Sequence, residues 1–379
     1  MSGRLSVSCS VVVGAVFFVL GPQAREGGLT RVEWGTTAKG ERVELFTLTG
    51  AGGLEARISN FGGVIVSLLV PNTSGSKTDV MLGYDDLASY EKGGVYGAVI
   101  GRYANRIGSN GTFVLDGRSI QLERANPDQK IVIHGGTAGF QKKVWQAQMH
   151  DGVEPSLTLT VISPDGDGGF PGKLTTTLVY TVTRDNALTL DYRATSDRAT
   201  VVNLTNHAYF ALQGEGHGEI ADQQMQVFAD RYTPCSLDNL PTGEVVSVAG
   251  TPLDFRIPVR LGDVLDSSFE QIAWRRGLDI NMIVNGTPGT LRPAALLGDP
   301  TTGVVMEVST TQPGMQIYTD NIARPVTGKG GKSYGNHFAV SFETQHYPDS
   351  PNRPEFPSTV VTPSTPLHEV TVFKFSTVH

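Results

Sequence analysis

Short runs of β-branched and aromatic residues, each closed off by glycine, asparagine or aspartate, recur along almost the whole chain. Successive side chains on a strand point to opposite faces, so a chain made of such runs must pair them into sheets and bury one face of each. Segments 42–49, 54–59, 64–70, 156–162, 175–183, 187–195, 304–309 and 369–375 are predicted strands. Arg184-Asp185-Asn186 reads as a hairpin turn between two of them. Asp116-Gly117, between Phe113-Val114-Leu115 and Ile120-Gln121-Leu122, reads as another. Helical periodicity is confined to two short candidates, 85–91 and 260–268. Many strands at close spacing imply an antiparallel sandwich rather than βαβ units. No internal repeat is visible, which argues against a propeller. No shift in composition marks a linker, so residues 26–379 are expected to form a single domain of the all-β class, a large antiparallel β-sandwich.

The sequence has 379 residues, of which only 18% are charged, and its net charge of -7 is spread without acidic or basic blocks. Nucleic-acid binding would need a basic face, so a neutral polar substrate fits this balance better than a polyanion. Residues 1–24 differ from the rest: Arg4 precedes an almost wholly apolar stretch, which Gly21-Pro22 ends. That order predicts a secretory signal peptide, too short for a membrane span, and hence a secreted or periplasmic protein. Cys9 lies within this segment, which leaves Cys235 as a small packed residue with no disulfide partner. Sequons occur at Asn72, Asn110, Asn203 and Asn285.

No HExxH, paired CxxC or dinucleotide fingerprint is present, so neither a metal nor a cofactor is expected. Thr327-Gly328-Lys329-Gly330-Gly331-Lys332-Ser333 imitates a phosphate loop, but Val326 stands where its first glycine is required, and the stretch reads as a flexible loop. His207 follows a β-type run within Asn203-Leu204-Thr205-Asn206-His207-Ala208-Tyr209-Phe210, among hydrogen-bonding side chains and aromatics. Alone, such a histidine is more often structural; an unperturbed imidazole nevertheless exchanges a proton near pH ~6.5. Glu343, in Val340-Ser341-Phe342-Glu343-Thr344-Gln345, is flanked by apolar residues, which raise a carboxylate's proton affinity if they shield it. By its local pattern alone it would be a solvated strand residue.

Taken in order, four segments resemble the aldose 1-epimerase (galactose mutarotase) family: Gly101-Arg102-Tyr103-Ala104-Asn105-Arg106-Ile107, Ile133-His134-Gly135-Gly136, the His207 segment, and Phe342-Glu343-Thr344-Gln345 with its continuation through Tyr347-Pro348-Asp349. Gly277-Leu278-Asp279-Ile280 and Pro313-Gly314-Met315-Gln316 extend the match, which runs from about Leu45 to Phe375. The resemblance implies the family's galactose mutarotase-like supersandwich, with a site in a groove across one sheet face. It implies His207 as catalytic acid and Glu343 as catalytic base, with Asn105, Arg106, His134, Tyr209, Asp279 and Gln316 contacting the sugar. The partner it implies is a small aldose such as glucose or galactose. Neither nucleic acid nor a stable membrane partner is expected, and the oligomeric state is left open. Opening a hemiacetal ring requires removal of the C1 hydroxyl proton and delivery of another to the ring oxygen, so one base and one acid are needed, on opposite sides of the anomeric centre.

Asp254, in Thr251-Pro252-Leu253-Asp254-Phe255-Arg256, also fits a family motif and reads as structural, while His337 occupies a familiar position without an assignable role. Three features depart from the family: Ile280 stands where a histidine is usual, segment 123–130 looks like an addition, and the turn Thr362-Pro363-Ser364-Thr365-Pro366 lacks a Pro-Gly. The first bears on sugar preference. Two other readings stay open, a hexose-phosphate 1-epimerase, which would need a basic cluster at the groove rim, and a non-catalytic carbohydrate-binding protein.

Overall fold

The computed structural model describes residues 27–378; the expected signal segment, Cys9 included, lies outside them. Three antiparallel sheets form the frame. The first is a meander of Gly28–Thr36, Arg42–Thr49, Glu55–Ser59, Ile65–Pro71 and Lys77–Asp79. The second has nine strands, ordered Gln146–His150, Ser156–Ser163, Leu174–Val182, Ala187–Ser196, Leu367–Thr377, Val304–Thr310, Arg292–Gly298, Gln224–Val227 and Val259–Arg260. The third has five, ordered Val246–Ser247, Arg231–Thr233, Asp279–Ile283, Gly314–Tyr318 and Ser341–Gln345.

The alternation seen in the sequence becomes two-faced burial. Every other residue of Leu174–Val182 is buried, and the intervening threonines, Val179 and Thr181 are half-exposed. The buried face of the nine-stranded sheet, with Leu178, Tyr180, Leu190, Met306 and Phe373, shares one apolar cluster with residues of both other sheets. These include Phe46, Leu48 and Ile58 of the first and Ile280, Met282, Ile317 and Phe342 of the third. Each such side chain contributes ~1.5–3 kcal/mol on leaving water, so this shared cluster is what fixes the three sheets against one another.

Both predicted hairpins are present. Asp116 and Gly117 have φ of 48° and 73°, the pair of left-handed residues that a two-residue turn demands, and Asn186 has φ 62°. The helix Leu87–Glu91 is capped by Asp86, whose carboxylate accepts the Ser89 N–H at 2.8 Å. The helix expected at 260–268 is not formed. Val259–Arg260 pairs instead as an edge strand, Leu261–Asp263 makes one 3-10 turn, and the α-helical turn lies later, at Glu270–Ala273. The apolar spacing of Leu261, Val264 and Leu265 is real and all three are buried, but the N–H groups of Leu261 and Gly262 are taken by the carbonyls of Gln223 and Ala221, outside any helix. The phosphate-loop imitation is a tether: Lys329 Nζ bonds Asp79 Oδ2 at 2.7 Å and the Val66 carbonyl at 2.9 Å.

Candidate active site

Three adjacent strands of the third sheet carry chemistry on one face and core on the other. In the strand register Asn281, Gln316 and Glu343 form one row, and Asp279, Tyr318 and Ser341 the next. The intervening residues Ile280, Ile317 and Phe342 form a row in the apolar cluster. Period-two alternation therefore delivers polar groups to a cavity and apolar groups to the core from the same few residues. Ile280, the departure from the family pattern, points into that core and is 1% exposed, so it does not line the cavity.

His207 is brought to Glu343 by backbone pairing: its N–H donates to the Ala98 carbonyl at 2.8 Å, and its own carbonyl accepts the Gly97 N–H at 2.9 Å. One buried amide ties together the segments that meet here. Asn203 Nδ2 donates to the carbonyls of Ala104 and His346, and its Oδ1 accepts the His346 N–H at 2.9 Å. Asn203 thus joins the strand leading to His207, the turn that presents Asn105, and the stretch just beyond Glu343. His207 Nε2 lies 3.5 Å from Glu343 Oε1, and both side chains are at least 95% buried. The imidazole is stacked on the Tyr209 ring, centroids 4.8 Å apart, with the His134 ring edge-on at 5.4 Å.

Asn105 and His134 both have positive φ, 62° and 50°, and the two turns are locked together. The His134 N–H donates to the Asn105 carbonyl at 3.0 Å and the Asn105 N–H to His134 Nδ1 at 3.3 Å, which leaves the ring proton on Nε2. Arg106 Nη1 bonds Asn105 Oδ1 at 2.8 Å and Nη2 bonds Asp279 Oδ2 at 2.9 Å. Asp279 also accepts from Gln316 Nε2 at 2.6 Å and from Asn239 Nδ2 at 2.7 Å. His337, unassigned from sequence, bonds the Arg276 carbonyl through Nε2 at 2.7 Å and so braces the turn that leads into Asp279. Asp254 is a surface ion pair with Arg256, at 2.7 Å.

These residues surround a cavity of about 320 Å³, large enough for one small polar molecule. Of the residues singled out in the sequence, Asn105, Arg106, His134, His207, Tyr209, Asp279 and Glu343 all line it. Gln316 reaches the site only through Asp279. The sequence reading missed Val95, Ile133, Arg275, Tyr318 and Asn321. Tyr318 carried a usable signal, being two residues beyond Gln316 and therefore on the same strand face; Arg275 and Asn321 come from turns and carried none.

The two carboxylates are driven apart electrostatically. Burial pushes Glu343 up to about 8, the charge of Asp279 adds to the rise, and Arg106 opposes it. Burial also acts on Asp279, but Arg106 and the amides of Asn239 and Gln316 outweigh it and hold the group below the usual carboxylate range. Burial, with His134 and Arg106 nearby, pushes the His207 imidazole well below its ordinary value. The cavity therefore holds one anion paired with one guanidinium, and a His207–Glu343 couple that shares a single proton near neutrality. The ligand atoms of His134, His207 and Glu343 lie within 4.8 Å of one another, a spacing that could also hold a metal ion.

The fold is a three-sheet β-sandwich with a buried imidazole–carboxylate couple beside an ion-paired carboxylate, and comparison with known proteins shows the family to which it belongs. The aldose 1-epimerase family model matches residues 44–374. Among curated relatives, galactose mutarotase of Bos taurus is 39% identical over 352 residues, covering 92% of this chain and 98% of that protein. Aldose 1-epimerase of Escherichia coli K12 is 32% identical over 320 residues, covering 84% and 90%. The crystal structure of galactose 1-epimerase from Lactobacillus acidophilus superposes with a TM-score of 0.82 at 27% identity, covering 93% of this chain and all of the other. The chain belongs to the aldose 1-epimerase family.

Proposed function

We propose that the chain is an isomerase that interconverts the α and β anomers of free aldohexoses such as glucose and galactose, with Glu343 as base and His207 as acid. The observation that carries this reading is the 3.5 Å approach of His207 Nε2 to Glu343 Oε1 at the cavity wall. The hydroxyl oxygen and the ring oxygen of a hemiacetal are bonded to the same carbon, so an acid and a base that serve them must converge. The side-by-side couple meets that need better than groups facing each other across the anomeric centre.

In the reactive form the shared proton is on His207 and Glu343 is ionised. Glu343 accepts the C1 hydroxyl proton, the bond from C1 to the ring oxygen breaks, and His207 delivers its proton to that oxygen. After rotation about the C1–C2 bond of the open aldehyde, the hydroxyl re-adds to the other face. Its proton returns to His207 and Glu343 reprotonates O1, so nothing is consumed. Asp279, held by Arg106, Asn239 and Gln316, accepts a hydroxyl of the ring, and the face of Tyr318 limits its position.

A hexose-phosphate substrate is not favoured. The two guanidinium groups lining the cavity are both committed, Arg106 to Asp279 and Arg275 to the carbonyls of Ser236 and Leu237. The test is polarimetry of freshly dissolved α-D-glucose and α-D-galactose at low buffer concentration. The reading requires acceleration by the wild-type protein and its loss in Glu343→Gln; equal rates for the two would overturn it. Export from the cytoplasm is part of the same proposal, motivated by the apolar run before Gly21, and N-terminal sequencing of protein recovered outside the cytoplasm checks it.

A further inference from the structure

Asp279 is served by a residue outside every motif noted in the sequence. Asn239 Nδ2 donates to Asp279 Oδ2 at 2.7 Å, from a turn in which Asn239 has φ 59°. The orientation of this amide is settled by its partner, since the reverse would set its oxygen against a carboxylate. Its Oδ1 is therefore turned away from Asp279, and it is buried without a hydrogen-bond partner among the described residues. An unsatisfied buried acceptor costs ~1–3 kcal/mol.

The turn is held firmly from one side. Gln271 pairs with both backbone groups of Cys235, accepting its N–H at 2.8 Å and donating to its carbonyl at 3.0 Å. Arg275 donates to the Ser236 carbonyl at 2.8 Å and to that of Leu237 at 3.2 Å. The turn closes on itself through Ser236 N–H to Leu240 and Asn239 N–H to Ser236, both at 2.9 Å. Residues from the short helix Glu270–Ala273 and its exit thus clamp the turn, and Arg275 itself lines the cavity.

A carboxylate has about four acceptor positions. On Asp279 two are used on Oδ2, by Arg106 and Asn239, and one on Oδ1, by Gln316. One remains on Oδ1.

From this geometry we propose that Asn239 is a positioning residue for sugar binding: from its clamped turn it orients Asp279, which lines the cavity, so that the open Oδ1 position of the carboxylate faces a ring hydroxyl. The ligand chemistry is a polyol ring that presents a hydroxyl donor to Asp279. The proposal rests on the anomer-exchange reading for its substrate class.

Two substitutions test it, with the wild type measured first. Asn239→Gly keeps the left-handed backbone and removes only the amide. Asn239→Asp keeps size and backbone preference but sets a second carboxylate against Asp279. For Asn239→Gly the expected result is a rise of about tenfold in KM, carried much less by kcat, with thermal unfolding close to wild type. Asn239→Asp should raise KM more at pH 8 and recover toward the glycine variant near pH 5, where a proton shared by the two carboxylates restores a donor. Unchanged KM in both variants, or a loss confined to unfolding temperature and independent of pH, would overturn the proposal. Calorimetric titration of glucose and galactose into the same proteins separates the two failures. If the wild type binds sugar without accelerating mutarotation, the activity reading fails, while the Asn239 proposal is still decided by its effect on binding.

Discussion

Gln316 stands directly opposite Glu343 in the strand register but spends its amide on Asp279. Glu343 Oε2 is left buried without a hydrogen-bond partner among the described residues. One amide thereby accentuates the contrast between two acids in one cavity. The group it serves stays an anion, and the group it bypasses becomes a stronger base.

Replacing Glu343 by Gln is expected to lower kcat by ~10²- to 10⁴-fold, the range for loss of one positioned proton-transfer group. The same change should make the protein more resistant to heat in alkali. The folded-state value of Glu343, about 8, is raised above the ordinary 4.5, so the stability it contributes is present below 4.5 and lost as pH rises through 8. The glutamine variant lacks that loss. Polarimetry and thermal melts at pH 5 and pH 9 check both halves, and a wild-type advantage in stability at pH 9 would contradict the second.

The pH profile of kcat/KM is expected to be a displaced bell. On the alkaline side activity falls near pH 8, as the His207–Glu343 couple loses its one proton. On the acid side it falls only below the ordinary imidazole range of ~6.5, because burial resists placing a second proton on the couple. Initial rates across pH 4 to 10 decide the matter, and a midpoint for the acid limb at or above 6.5 would refute it.

Asn203 makes a strong prediction for a residue that touches no substrate. Asn203→Ala removes three bonds that join the Ala104, His207 and His346 stretches. It leaves buried backbone groups unpaired at ~1–3 kcal/mol each. The expected outcome is a melting temperature lowered by several degrees together with a lower kcat, and Asn203→Asp should fare no better because it replaces two donors with a buried charge. Since Asn203 is 0% exposed, its sequon should also be unglycosylated in folded protein, which peptide mapping would show.

Asp320 is fully buried, and neither carboxylate oxygen has a hydrogen-bond partner among the described residues. Burial pushes it up to about 7 from 3.8, so its ionisation erodes stability as pH rises across that interval. Asparagine tolerates the residue's φ of 50° and cannot ionise. Asp320→Asn is therefore expected to raise the melting temperature by a few degrees at pH 8 and to leave it nearly unchanged at pH 4. A lower melting temperature at pH 8 would refute this.

Much of the frame was legible because strand burial writes itself into the sequence with a period of two. Segment 42–49 was read with the bounds it has, and segments 187–195 and 304–309 each fell one residue short. Segment 260–268 misled because Leu261, Val264 and Leu265 are spaced like a helix face but are buried from a turn whose Leu261 and Gly262 N–H groups serve the carbonyls of Gln223 and Ala221. Ile280 looked like a change to the sugar site, and only the strand register shows that it faces the core. The motif residues His207, Glu343, Arg106, His134 and Asp279 were found because they stand in recognisable local strings. Arg275 and Asn321 line the cavity, and Asn239 meets Asp279, from connections whose placement depends on long-range contacts, and no local pattern announces them.

The strands Asp279–Ile283, Gly314–Tyr318 and Ser341–Gln345 are wall to the core on one side and floor to the cavity on the other, one layer thick. Altering their cavity-facing residues disturbs packing a single strand away, so innovation is cheap only where the site is reached from turns. In a lineage adapting to a new sugar, change should therefore accumulate at positions such as Asn239, Arg275 and Asn321, while the proton-transfer couple and its floor stay as they are.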